Sequence, residues 1–70
     1  MYYVNTYQGF IPDRSVVPKH YEFVSDVRYA AGFVSFDEAD QAGKEALKNH
    51  ARQVQYYAVL GSASSQHLAG

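Results

Sequence analysis

Three histidines, His20, His50 and His67, are the side chains best suited to hold a metal ion, and their spacing argues against it. A histidine site wants an H-x-x-x-H pair or an acidic companion at ligand spacing, so that two donors reach one ion from neighbouring turns. None of the three has such a companion, and the absence of cysteine removes both thiolate ligands and disulfides. His50 reads instead as a partly buried imidazole bonded to a backbone carbonyl. Asp37, Glu38 and Asp40 have the chemistry of a general acid and base, but acids clustered in a first helical turn answer the positive end of the helix dipole. Gly61-Ser62-Ala63-Ser64 is not a nucleophile elbow, which needs G-x-S-x-G between a strand and a helix. No glycine-rich phosphate cradle precedes the helix. These residues predict no catalytic site, no metal and no cofactor.

Two surface features remain. Lys44, Lys48 and Arg52 recur at i, i+4 and i+8, a spacing that can track phosphates along a nucleic acid. Glu45 interrupts the stripe, and a solvated helix face explains it as simply. The other feature is aromatic: seven tyrosines and four phenylalanines, with no tryptophan. Exposed tyrosines on a sheet can stack bases or anchor a protein interface, where tyrosine is enriched. Base stacking wants flanking Lys and Arg, and this face offers Glu22 instead, so protein contact is the stronger reading. The candidate contact residues are Tyr3, Tyr7 and Tyr57, with Phe10, Val16 and Val17 from an unusually apolar loop. The same tyrosines would serve equally to cover a two-layer sheet or to close a homodimer.

The elements that position these residues follow from periodicity. Ser35 followed by Glu38 is a capping box, and Phe36, Ala39, Gly43, Ala46, Leu47, His50 and Val54 recur at helical spacing beyond it. Val34 is placed to staple onto Ala39. Gly43 on the buried face loses about 1 kcal/mol of propensity against alanine, which points to close approach of helix and sheet. Asp40 and Lys44 form an i,i+4 pair. Residues 2–7 alternate as a first strand, 20–24 as a second and 53–60 as a third. Residues 9–19, with Pro12 and Pro18, form the loop between the first two. Residues 25–32 read as a turn or short helical segment, because Ser25-Asp26 caps well and Ala30-Ala31-Gly32 is a poor strand.

The predicted fold class is α+β, a ββαβ two-layer domain. Its three-stranded, largely antiparallel sheet has the order 2-1-3 and is covered on one face by a single helix. Residues 1–60 form the single domain, and residues 61–70 a flexible C-terminal tail. The core face holds Tyr2, Val4, Tyr21, Phe23, Tyr56, Ala58 and Leu60. The open face holds Tyr3, Tyr7, His20, Glu22, Tyr57 and Val59.

At 70 residues the chain buries only about 60% of its unfolded surface. A net charge of −1 gives no global attraction to nucleic acid or to an anionic membrane. The N-terminus lacks a basic n-region and a long apolar run, so a cytoplasmic product with no membrane partner is expected.

The run Ala31-Gly32-Phe33-Val34-Ser35-Phe36-Asp37-Glu38-Ala39 resembles a pattern in short phage and mobile-element reading frames. There an alanine, an aromatic, a capping Ser/Thr and Glu-Ala lead into a lone helix between strands. In size and element order the chain is also similar to small phage-encoded inhibitors that block host RNA polymerase or CRISPR effectors. The resemblance implies a non-enzymatic module that occludes the surface of a host or defence complex in the host cytoplasm. The alternatives are a small nucleic-acid-binding domain and a structural or homo-oligomeric subunit.

Overall fold

β1 (Tyr2–Thr6) runs through the middle of the computed structural model, which describes residues 1–61. β2 (Gly9–Phe10) folds back beside it across a turn at Tyr7-Gln8. β3 (Tyr57–Gly61) lies antiparallel on the other side. The sheet order is β2-β1-β3, with both pairings antiparallel. One main helix, α1 (Phe36–Asn49), packs on one face against β1 and β3. This is the small α+β architecture that the element order implies.

The second strand lies elsewhere than predicted. Residues 20–24 form no strand, and only Val24 bridges the sheet, through Phe10. Two local structures account for this. Gly9 adopts φ +132°, where a Cβ would sit 2.6 Å from the Val24 carbonyl oxygen, so the chain reverses at once into a tight hairpin. The Thr6 hydroxyl closes that hairpin, donating to Gly9 O at 2.7 Å and accepting from Gln8 N–H at 3.1 Å. Further on, the Arg14 guanidinium donates to the carbonyls of Pro18 and Tyr21 at 3.0 and 2.7 Å, which holds this segment as a loop. Tyr21, assigned to the core by alternation, is exposed and lies beside the His20 ring. The apolar loop does fold back in part: Pro12 and Val17 are buried.

Residues 25–32 contain a 3₁₀ helix, Val27–Tyr29, capped by the Asp26 carboxylate on Arg28 N–H at 2.9 Å. Ser35 caps α1 from an extended backbone, its hydroxyl accepting from Glu38 N–H at 3.2 Å. Ala39 and Gly43 are buried beneath α1, while Phe36 is 52% exposed, edge-on to Tyr2. Val34 is 76% exposed, too open to form the staple onto Ala39.

α1 stops at Asn49, and His50, which is exposed, joins it to a short second helix, α2 (Ala51–Val54). The third strand therefore begins four residues later than expected, after Gln55 turns the chain with φ +58°. β3 takes Gly61; the rest of the expected tail, residues 62–70, lies outside the described residues. The core is thin, with Val4 and Val54 its largest fully buried side chains. No helix among the described residues is long and apolar enough to cross a membrane.

Candidate interaction surface

Sheet register decides which side chains meet the helix. Val4 pairs with Val59 and Thr6 with Tyr57, and both pairs face α1. Directly paired residues share a face and neighbours in sequence oppose one another, so Tyr3 with Leu60 and Asn5 with Ala58 face away. Tyr57 thus belongs to the covered face, which corrects its assignment to the open one. The reason is a change of phase. Val54 is buried from α2 rather than from a strand, and the turn at Gln55 shifts β3 by one residue against the alternation Val54, Tyr56, Ala58, Leu60.

Under α1, Tyr57 fills the space that Gly43 leaves open. A Cβ at residue 43 would lie 2.8 Å from Tyr57 Cγ and closer still to Cδ1 and Cε1. This is the close helix–sheet approach expected of that glycine. The Tyr57 hydroxyl donates to Asp40 Oδ1 at 2.6 Å, and Lys44 Nζ lies 3.3 Å from Asp40 Oδ2. The Tyr57 hydrogen bond, assisted by Lys44, holds the Asp40 carboxyl below the usual carboxylate range against partial desolvation. The same bond, with desolvation, raises the Tyr57 phenol above its ordinary value. The cluster is a latch between helix and edge strand.

Among the described residues α1 packs on one face of the sheet only, and the paired rows of the other face carry no charged side chain. One row crosses the sheet as Val24, Phe10, Asn5 and Ala58, since Val24 bridges Phe10 and Phe10 pairs with Asn5. Beside it stand Tyr3 and Leu60, the latter 42% exposed. At the far end Tyr7 and Tyr56 meet edge-to-face, ring centroids 6.1 Å apart, and are 56% and 55% exposed. Tyr7 N–H donates to Val54 O at 3.1 Å, which seats this pair where β1 leaves the sheet. At the other end the half-buried Tyr3 ring and the exposed Met1 side chain both lie beside Gly32. Asn5 is the polar exception in the rows named here.

Of the predicted contact residues, the structure brings Tyr3, Tyr7 and Phe10 onto one face. Val16 is exposed at 61%, but Val17 is 7% exposed and packs into the core. Asp13 forms the turn that separates them, accepting from Ser15 and from the Val16 and Val17 N–H groups. Tyr56 and Leu60, assigned to the core from sequence, belong to the open face. Glu22 lines the cleft beside α1 and His20 stands exposed in the loop against Tyr21, so neither belongs to a strand of the sheet. The helix-forming run Ala51-Arg52-Gln53 was the signal that residues 53–55 were not strand.

The basic stripe is broken. Lys44 is engaged by Asp40, and Arg52 stands on α2 beyond the interruption at His50, so only Lys44 and Lys48 share α1. His50 is exposed rather than partly buried, and among the described residues no three His, Asp or Glu side chains gather as for a metal ion. A cleft of about 430 Å³ lies between α1 and the loop, floored by Ile11, Phe23 and Ala46. Arg14 and Lys19 face Glu22 and Glu45 around it, so its charges balance and select no ligand class. Compared with known protein families, characterised proteins and solved structures, the chain matches none.

Proposed function

We propose that this chain is a non-enzymatic protein-binding module, an inhibitor of phage type that occludes the surface of a host or defence complex in the host cytoplasm. RNA polymerase and CRISPR effectors are the first candidates. The observation that carries this reading is the open face, whose paired rows among the described residues hold no charged side chain, with Tyr7, Tyr56 and Leu60 exposed along it. Tyrosine supplies large contact area with few rotatable bonds, and contiguous exposed apolar surface on a small protein marks interaction sites. Nucleic acid is the weaker partner, because the paired rows of the open face, among the described residues, hold no Lys or Arg and the helix bases are split between α1 and α2.

The test is inhibition of transcription by the host polymerase, and of target cleavage by the host's CRISPR effector, with the wild-type chain and with Tyr7→Ala and Tyr56→Ala. The reading expects one activity to be inhibited by the wild type and spared by both variants. It is overturned if the chain binds DNA or RNA with steep salt dependence, or if both tyrosine variants inhibit as well as the wild type.

A further inference from the structure

The two edges of the sheet are finished differently. Beyond β1 and β2, the chain returns to cover the backbone: Tyr2 exchanges hydrogen bonds with Phe33, and Phe10 with Val24, while Ala31 N–H donates to Ile11 O. β3 forms the opposite edge, and among the described residues no segment pairs with its outer side. Natural edge strands are blunted by lysine, proline or a bulge. β3 reads Tyr57-Ala58-Val59-Leu60-Gly61 and has neither charge nor proline, and its five-residue pairing to β1 is continuous.

The direction of each backbone group follows from the ladder. Val4 O accepts from Ile11 N–H at 3.1 Å and Tyr2 bonds Phe33, so residues 2 and 4 turn their groups away from β3. Tyr3 and Asn5 therefore turn theirs toward it, and through the register they bond Leu60 and Ala58. The N–H and C=O groups of Tyr57, Val59 and Gly61 are left pointing outward. That set is symmetric about Val59.

We propose that β3 pairs antiparallel with β3 of a second copy of this chain, about a two-fold axis through Val59, joining two sheets into one. Val59 then exchanges both its hydrogen bonds with the second copy's Val59, and Tyr57 with the second copy's Gly61. The side chains fit the same register. On the helix side Tyr57 stands opposite glycine and valine opposite valine. On the open side Leu60 stands opposite Ala58. Tyrosine and leucine each meet a small residue, and β3 itself brings no charge to the seam. A two-fold axis perpendicular to the sheet keeps both helices on one face and makes the two open faces continuous. A core whose largest fully buried side chains are two valines gains from such association.

The experiment is sedimentation velocity on the full chain up to about 1 mM, the weak end of specific association. It is run on the wild type, Val59→Pro and Leu60→Lys, with circular dichroism reporting the fold. Val59→Pro deletes an outward N–H and leaves the donors of Ala58 and Leu60 to β1; Leu60→Lys sets two ammonium groups near the axis. The expected result is a wild-type dimer of twice 7.8 kDa and loss of that dimer in both variants. If Val59→Pro fails to fold, Leu60→Lys decides alone. A wild type that stays monomeric overturns the proposal. A dimer that persists in the folded variants also overturns it, since the interface would then lie elsewhere.

Discussion

Replacing Gly43 by alanine sets two effects of known size against each other. In a helix interior alanine is favoured over glycine by about 1 kcal/mol. Against that, the new methyl would press on the Tyr57 ring, 2.8 Å from Cγ. Because Cγ is the root of the ring, swinging its far end gives no relief. The side chain must rotate about Cα–Cβ, which carries the hydroxyl away from Asp40. Overpacking of this kind costs about 1–3 kcal/mol, so the balance falls near 1 kcal/mol of net destabilisation. For a chain of this size that lowers Tm by about 4–8 °C. In a Tyr57→Ala background the obstruction is gone, and the same Gly43→Ala change should stabilise by about 1 kcal/mol. The sign reversal is the diagnostic, a coupling of about 2 kcal/mol in a double-mutant cycle. Thermal unfolding followed by circular dichroism measures it, with sucrose added to all four proteins to keep the Tyr57→Ala pair folded. A rise in Tm for Gly43→Ala in the wild-type background would refute the close approach, as would equal effects in both backgrounds.

Ser35→Ala removes the hydroxyl that accepts Glu38 N–H and should cost about 0.5–2 kcal/mol in a denaturant melt; an unchanged midpoint would take the cap away from Ser35. Asp13, Asp26 and Asp40 are held below the usual carboxylate range by hydrogen bonds from Ser15, Arg28 and Tyr57 respectively, so the stability they contribute is present above about pH 4 and is lost as pH falls through their lowered values. The raised Tyr57 phenol acts oppositely, contributing stability below about pH 10 that is lost as pH rises through its folded value; Tyr57→Phe should flatten this alkaline limb and shrink the acid one, and an identical alkaline slope in the variant would contradict the latch. Tyr7→Ala and Tyr56→Ala remove more than half-exposed rings and should each move stability by less than about 1 kcal/mol beyond their mutual edge-to-face contact, whereas global unfolding of either would show that this face is core.

The helix was readable in the sequence because several local signals agreed: a serine cap, acids in the first turn, and small residues at helical spacing. β1 was readable for the same reason, since its alternation places Val4 inward and Tyr3 and Tyr7 outward. What failed was strand alternation without an anchor for its phase. Val54, Tyr56, Ala58 and Leu60 fit one face of a strand, but Val54 is helical and Gln55 turns the chain, so every later side chain points the other way. A one-residue error inverts a strand completely, and period two carries no information about where it starts. The second strand failed through tertiary context. Residues 20–24 have strand propensity, yet Arg14 ties the Tyr21 carbonyl into a loop, and the Gly9 hairpin supplies the neighbour to β1. The open face was thus correct in β1 and inverted in β3, and the lack of charge in its paired rows was hidden by the misplacement of Glu22.

Position-specific photo-crosslinking reads out what the open face touches. A benzophenone amino acid replaces Tyr56 on the open face in one chain and Lys48 on the outer side of α1 in another, and each is irradiated in lysate of the infected or expressing host. A discrete protein adduct is expected from position 56, lost when Tyr7→Ala is added, and none from position 48. An adduct from position 48 alone, or one from position 56 that nuclease treatment abolishes, would contradict it.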